Sequence, residues 1–238
     1  MTDMPTATSG IGALAVDRSA RNALIALFAG ALAIALSPIF VRAVLGEVGP
    51  TAAAFWRTAL AVPLLWLWLA FEPRDNRPKV RGRAGWRDYA TLLLAGLFFA
   101  GDLVFWHLSI NYTTIANSTL LANFAPIYVA IVSFLLFGER FSGIFVTGLA
   151  LAVAGAAVLM GDSVAIGAEH LLGDALGLVT GMFYAGYILT VGRLRTRFTT
   201  ARIMTWSAIA TSVFVLPLAL LSGEPMLPGT LFGWSMLL

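Results

Sequence analysis

Long apolar runs separated by short polar segments dominate the chain. A membrane-spanning helix needs about 20 mostly apolar residues, and seven runs approach or exceed that length. They lie at residues 22–44, 51–71, 89–110, 114–137, 143–160, 175–191 and 203–221. An eighth begins at Leu231, and the sequence ends at Leu238. The pattern predicts an all-α membrane protein, a polytopic helical bundle of seven complete transmembrane helices and the start of an eighth.

The composition agrees with a membrane protein and excludes several other classes. Of the 238 residues, 59% are hydrophobic and 11% are charged, whereas about a quarter of the residues of a soluble domain are charged. The absence of cysteine excludes disulfides and thiolate metal sites. The two histidines, His107 and His170, are far apart in sequence, so we expect no metal site and no cofactor.

Positive charges collect on one side of the predicted topology. Thirteen of the fifteen Lys and Arg residues precede the first helix or follow the second, fourth and sixth helices. The exceptions are Arg42, on the other side, and Arg57, inside the second helix. The positive-inside rule then places the N-terminus, with a poorly ordered tail over residues 1–20, in the cytoplasm of a bacterial-type inner (plasma) membrane. We assign the basic loops to topology and expect no nucleic-acid partner.

A weak similarity between two segments of the chain indicates an internal repeat. Segment 51–70 resembles segment 200–221, and Pro63 and Pro217 lie at similar places within them. The second helix then matches the seventh, an offset of five helices. Because five is odd, the two halves are inverted in the membrane, as in many secondary transporters.

Two stretches resemble a known family. "SPIFVRAVLGEVGPTAAAFWRTALAVPLL" and "ANSTLLANFAPIYVAIVSFLLFGER" are similar to the EamA-type permeases of the drug/metabolite transporter superfamily. The most specific features are Arg57 after "GPTAAAFW", Pro126, and the "FGER" turn with Glu139. The resemblance covers about residues 21–238, and "GDLVFWHLSINYTTIANSTLLANFAP" looks like one bacterial subgroup.

The resemblance implies a ten-helix fold of two inverted five-helix repeats. Residues 21–160 then form the first EamA-like repeat and residues 161–238 a partial second one, cut after its second helix. The family moves small metabolites, often outward, and many members exchange substrate for protons. The expected partners are therefore the lipid bilayer, a small-molecule substrate and protons, while the oligomeric state is not indicated.

Asp102, inside the third helix, is the first candidate for a working residue. A charge near the centre of a membrane costs roughly 2.5–3.5 kcal/mol, so the carboxyl should face the bundle or water. Asp102 and Arg57 lie about 12 Å and 9 Å below the outer face by helical rise. An Arg57–Asp102 ion pair is one interpretation, and a site for proton coupling or a substrate ammonium group is the other.

Further polar and aromatic residues are candidates for the same pathway. Trp106 shares the face of Asp102 and either walls a binding site or belongs to the interfacial aromatic belt. Asn117 and Asn123 should both point inward, to another helix or to substrate. Tyr184 and Tyr187 line one stripe of the sixth helix, where they either pack or face water.

Four further residues are interpreted as parts of the structure or of a gate, and not as contacts to substrate. Pro126, Glu139 and Arg140 are assigned to structure or gating. We expect His107 to be a satisfied histidine near the outer interface rather than a proton relay.

These features together favour a transporter over an enzyme. The sole lysine, Lys79, lies in a loop, so no spanning lysine can carry a retinal Schiff base. No metal cluster, spanning nucleophile–histidine pair or P-loop is present, so we expect no enzymatic activity. The interpretation is a secondary active transporter of small metabolites, amino acids or related compounds, and we expect it to work outward and to be coupled to protons. The alternative is a membrane fragment without transport activity of its own.

Overall fold

The computed structural model describes residues 18–73, 84–138 and 140–237. Within these ranges the chain forms helices α1 (Arg18–Val44), α2 (Pro50–Phe71), α3 (Trp86–Tyr112), α4 (Ile115–Ala122), α5 (Ala125–Phe137), α6 (Gly143–Ile166), α7 (Ala168–Leu194), α8 (Thr200–Leu221) and α9 (Leu231–Leu237), and no strand. The prediction of an all-α protein is confirmed. Most of the expected tail over residues 1–20 lies outside the described ranges.

Six helical stretches of the described chain are long and apolar enough to cross a membrane. They correspond to α1, α2, α3, α4 with α5, α7 and α8. The fifth predicted span lies in α6, where the apolar part, Gly143–Val158, is shorter. Multi-pass membrane insertion follows, while seven complete spans remain a prediction.

The fourth predicted span, 114–137, is divided into α4 and α5 by a turn at Asn123 and Phe124. Pro126 explains the division, because proline has no N–H with which to bond the carbonyl of Ala122, four residues earlier. Pro126 instead occupies the first turn of α5, where N–H groups have no intrahelical acceptor. The prediction of one continuous helix is wrong at this point.

The chain divides into two compact units, residues 1–37 and 38–238. In the first unit, α1 exposes large apolar side chains, among them Leu24, Phe28 and Ile34. A helix with apolar residues on all sides is suited to a lipid environment. The second unit contains the buried core described below.

In the second unit, α2 and α8 run antiparallel and are joined by side-chain hydrogen bonds from one end to the other. Four of these bonds are Thr51 Oγ1 to Glu224 Oε2 (3.0 Å), Ser212 Oγ to Thr58 Oγ1 (3.1 Å), Thr205 Oγ1 to the Leu65 carbonyl (3.0 Å) and Thr199 Oγ1 to Glu72 Oε2 (2.6 Å). The partners on the α2 side recur every two helical turns and therefore share a face. Because the membrane interior offers no water, hydroxyl groups on such a face bond to the neighbouring helix.

α3 and α7 also run antiparallel, but aromatic rings and glycines make the contact. A methyl group on Gly101 of α3 would overlap the ring of Phe183, and one on Gly186 of α7 would overlap the ring of Phe98. Phe183 also stacks on Phe105, with centroids 5.3 Å apart. Each helix therefore places a ring where the other has no side chain, which allows a close approach of the backbones.

The pairs α1–α2 and α7–α8 correspond in length and in their connecting turns. α1 and α7 each have 27 residues, and α2 and α8 each have 22. Adding 150 to the bounds of the first pair (18, 44, 50 and 71) produces those of the second (168, 194, 200 and 221). The turns match as well, since Val44 O accepts from the N–H groups of residues 47 and 48, and Leu194 O accepts from those of residues 197 and 198.

Each of these turns packs on a helix from the other part of the chain. The α1–α2 turn forms a buried cluster with α9, and the α7–α8 turn forms one with the start of α3. The clusters contain Val44, Val48, Ala52, Ala53 and Leu237 in the first case, and Leu92, Ala95, Leu194, Phe198 and Ile203 in the second. The two arrangements are therefore reciprocal within the second unit.

Candidate functional site

Asp102 lies in the middle of α3 and is partly exposed. No ion pair involves it among the described residues, whose ion pair is Arg197–Asp88, with Nη1 and Oδ2 3.7 Å apart. The ion pair between Arg57 and Asp102, one of the two interpretations of the sequence, is therefore not formed.

The side chain of Arg57, on α2, contacts Trp106 instead. Its Cζ lies 5.9 Å from the centroid of the indole ring. The negative face of an indole attracts a guanidinium, and the attraction strengthens away from water. Arg57 and Trp106 therefore connect α2 to α3 one helical turn beyond Asp102.

Tyr184 and Tyr187, on α7, lie close enough to Asp102 for its charge to act on their hydroxyl groups. The ring of Tyr187 stacks on Phe99 of α3, with centroids 4.9 Å apart. Its hydroxyl group donates to Met204 Sδ, 3.6 Å away. The structure thus brings together three of the residues singled out from the sequence: one carboxyl and two phenol groups between α3 and α7.

His107 is fully buried, five residues before the end of α3. It lies on the face of α3 that carries Ala100 and Val104, which pack against α2 and α8. Nδ1 is 2.7 Å from the Leu103 carbonyl, and Nε2 has no hydrogen-bond partner among the described residues. Its ring meets that of Trp106 edge-on, with centroids 5.3 Å apart. His107 therefore packs against the indole ring that contacts Arg57.

A second polar cluster lies where α7 passes the turn between α3 and α4. Asn117 is buried there, and its Nδ2 donates to Asp174 Oδ1 at 3.3 Å. Thr113 Oγ1 donates to the same oxygen at 2.7 Å. Close approach is possible because a side chain on Gly173 would collide with Thr113.

Asp174 is the residue that sequence reasoning missed. The predicted span began at Ala175, immediately after the carboxylate, because a charge was taken as the end of an apolar run. α7 in fact begins at Ala168, and Asp174 lies inside it with 1% of its surface exposed. The spacing of Gly173, Gly177 and Gly181 was the available signal, since small residues at intervals of four indicate a continuous helix face.

The remaining candidates in the described chain are Asn123, Pro126 and Arg140. Asn123 is exposed and its Nδ2 donates to the Thr119 carbonyl at 2.7 Å, whereas Asn117 is buried. Pro126 is exposed at the start of α5, and Arg140 is exposed before α6. Glu139 lies outside the described residues.

Six arginines of the described chain lie at one end of the second unit, while Arg42 and Arg57 lie elsewhere. We call that end the basic end; there α2, α5 and α7 finish and α3, α6 and α8 begin. Its arginines are Arg87, Arg140, Arg193, Arg195, Arg197 and Arg202.

A groove of about 820 Å³ lies between α3, α5 and α7 and reaches the basic end. Its walls are mostly apolar, and they include Phe98, Tyr128 and Val132. Thr91 and Arg193 lie at the basic end. Phe98 is one turn from Asp102 on α3, so the groove extends from the basic end toward the carboxyl group. Its volume is in the range of small-molecule sites. Among the described residues, no three His, Cys, Asp or Glu side chains converge to hold a metal ion.

Comparison with known proteins agrees with this architecture. A curated relative, an uncharacterized transporter of Archaeoglobus fulgidus, is 27% identical over 191 residues, which are 78% of this chain and 62% of the relative. The chain thus spans about three fifths of the length of that relative. A crystal structure of another protein superposes with a TM-score of 0.58 at 18% identity, over 84% of this chain and 69% of that one. This structure supports the fold alone.

The family model extends over more than half of the chain. The model of the EamA-like transporter family matches residues 21–161, which include α2 to α5 and the residues Arg57, Asp102 and Trp106. The chain belongs to the EamA-like transporter family.

Proposed function

We propose that the protein is a secondary active transporter of small metabolites, amino acids or related compounds, that it works outward, and that Asp102 couples transport to protons. The observation that carries the proposal is the position of Asp102. It lies inside a spanning helix, near two aromatic hydroxyl groups of α7, without an ion-pair partner among the described residues. A carboxyl group in such a place is costly and is retained where it binds a cation or a proton.

The surroundings of Asp102 favour a substrate with an ammonium group. The carboxylate can bind the ammonium, and the ring of Tyr184 offers it a cation–π contact. The ring of Trp106 offers an apolar contact to the rest of the molecule. A proton on Asp102 competes with that ammonium for the same oxygen atoms. Exchange of substrate for protons follows directly from this competition, because only one of the two can occupy the carboxylate.

The paired helices support an inverted-repeat architecture. We infer that α1–α6 and α7–α9 belong to two repeats of opposite orientation, within a ten-helix fold. The equal lengths of α1 and α7 and of α2 and α8 support this inference, as do the reciprocal clusters at their turns. Alternating access by movement of one repeat against the other suits such an arrangement.

The basic end supports the proposed direction. By the positive-inside rule it faces the cytoplasm, together with the N-terminus, in an inner membrane. The groove between α3, α5 and α7 reaches this end, so it offers cytoplasmic substrate a way toward Asp102. Epitope tags placed in the segment 74–83 and after Glu169 test the orientation by their accessibility in intact cells; an accessible tag in segment 74–83 contradicts it.

Counterflow in proteoliposomes tests the activity. The chain is reconstituted, loaded with unlabelled amino acids one at a time, and assayed for uptake of the same labelled compound at several pH values. We expect accumulation of at least one compound, and loss of its pH dependence in Asp102→Asn. Glu169→Gln, an equivalent carboxylate-to-amide change at an exposed position of α7, is the matched control. If the chain accumulates no compound while a longer relative is active in the same assay, the chain is a fragment without activity of its own.

A further inference from the structure

The carboxylate of Asp174 is buried and half satisfied. Its exposure is 1%, and Oδ1 accepts hydrogen bonds from Thr113 and Asn117. Oδ2 is also inaccessible, and no described residue donates a hydrogen bond to it. A carboxylate oxygen removed from water without a partner is unfavourable, and such an atom in a well-packed region calls for a ligand.

No described side chain forms an ion pair with Asp174. Arg42, at the same end of α3, donates through Nη1 to the Ile110 carbonyl instead. α4 carries no charged residue, and Asp102 lies three turns away on α3. On α7 itself, Glu169 has the same sign, and His170, one turn earlier, forms no ion pair within the described chain. The tyrosines of α7, Tyr184 and Tyr187, lie beside Asp102 instead. The missing partner is therefore a cation.

A second buried atom in the same region has no partner. Ser118 follows Asn117 in α4, is fully buried, and its Oγ makes no hydrogen bond to any described group. The neighbouring polar atoms are also oxygens, since Ser109 Oγ donates to the Gly173 carbonyl at 2.7 Å. The region thus contains carboxylate, hydroxyl, amide and backbone oxygen atoms and no sulfur or imidazole ligand, which is the chemistry of hard cations.

We propose that Asp174, with Asn117 and Ser118, forms a site for one sodium ion between α7 and the start of α4. A single carboxylate matches a single positive charge, so a divalent ion would remain half neutralised. A proton on Oδ2 would itself be a donor with no acceptor, and a water molecule would leave the negative charge uncompensated. Sodium bound near the ends of broken helices is a recurrent feature of transporters.

The position of the site determines what the ion does. It connects α7 to the turn between α3 and α4, at the opposite end from the basic end, and α3 and α7 also carry the Asp102 site. Occupancy therefore stabilises the α3–α7 contact without taking part in the exchange at Asp102. The proposal is independent of the proposed transport activity.

Thermal unfolding of the purified chain in detergent tests the site. Scans are made at pH 7 in sodium, potassium and choline chloride of equal ionic strength. We expect sodium alone to raise the Tm, saturably, by about 2–4 °C or more, because a ligand that binds only the folded state stabilises it. Asp174→Asn keeps an acceptor for Thr113 but removes the charge, and its Tm should no longer respond to sodium. Glu169→Gln should respond like the wild type.

Two further outcomes overturn the proposal. If the wild type has the same Tm in all three salts, it has no sodium site. A Tm of the wild type that rises equally in sodium and in potassium contradicts a site that selects sodium. If Asp174→Asn does not fold, Ser118→Ala takes its place, with the sodium midpoint expected to rise about 10-fold; an unchanged midpoint also contradicts the site.

Discussion

The two antiparallel helix pairs of the second unit are held together by different forces. α2 and α8 are joined by hydroxyl groups that bond to the partner helix near both ends and between them. α3 and α7 are joined along their middle by rings that lie on glycines, and their interface there contains the partly exposed Asp102. The described hydrogen bonds between them lie only near one end, from Ser109 to the Gly173 carbonyl and from Thr113 to Asp174. Hydrogen bonds are directional and fix one register, whereas ring contacts tolerate small displacements.

This difference indicates separate roles for the two pairs. In α2–α8 the hydroxyl groups at the contact bond to each other, to backbone carbonyls or to carboxylates, which suits a frame. In α3–α7 the apolar contacts leave the carboxyl of Asp102 and the hydroxyl of Tyr184 outside the described hydrogen bonds, which suits a site that binds and releases a ligand. Substitutions should therefore separate stability from transport, depending on the pair in which they lie.

The largest loss of stability should come from filling the α3–α7 contact. Gly101→Leu places a side chain where Phe183 lies, and overpacking of this kind costs about 2–3 kcal/mol. Gly192→Leu, on the same pair but with open space around it, is the control. Unfolding in detergent with increasing SDS measures both. Equal losses in the two variants would show that the rings do not hold α3 against α7.

Removing the charge in the α3–α7 site should affect transport and spare the fold. In Asp102→Asn we expect loss of the pH dependence of counterflow with stability unchanged or raised by about 1 kcal/mol, because an amide is less costly than a carboxylate inside a membrane. Thr58→Val, in the α2–α8 pair, should lower stability and preserve the pH dependence. If Asp102→Asn and Thr58→Val change the stability and the pH dependence in the same way, the two helix pairs do not have separate roles.

The contact between Arg57 and Trp106 connects the two pairs. A double-mutant cycle with Arg57→Lys and Trp106→Leu should show a coupling energy of about 1 kcal/mol, since the planar guanidinium stacks on the ring and an ammonium does so less well. Thermal unfolding of the four proteins measures the coupling. Additive effects would mean that Arg57 acts through other contacts.

The smallest effect belongs to a single hydrogen bond of the frame. Thr58→Val and Ser212→Ala remove the bond between their hydroxyl groups, which is 3.1 Å long. Interhelical hydrogen bonds in membranes contribute about 0.6 kcal/mol on average, and the double-mutant cycle should return a value of that order. A coupling energy of zero would assign the α2–α8 contact to packing alone.

Sequence reasoning located most of the helices and several of the important polar residues, but it misjudged their surroundings. Asp102 was visible because one carboxylate interrupts a long apolar run, and Tyr184 and Tyr187 because their spacing follows the helical period. The Arg57–Asp102 pair was judged by depth alone, and equal depth does not determine the direction of a side chain. Asp174 was missed because a charge near the end of an apolar run resembles a loop residue.

The sequence by itself determined the class of the protein, the positions of the apolar helices, the charge asymmetry of the loops and the family. The first three follow from local composition and period, because each spanning helix satisfies its own backbone and needs only enough apolar residues to enter lipid. The family was indicated by the resemblance of particular segments. The tertiary structure alone decided which polar residues meet: Arg57 with Trp106, Asp102 with the two tyrosines, and Asp174 with Asn117 and Thr113. Those contacts join segments far apart in the chain, so they depend on how glycines, rings and hydroxyl groups of different helices fit together, which no local pattern encodes.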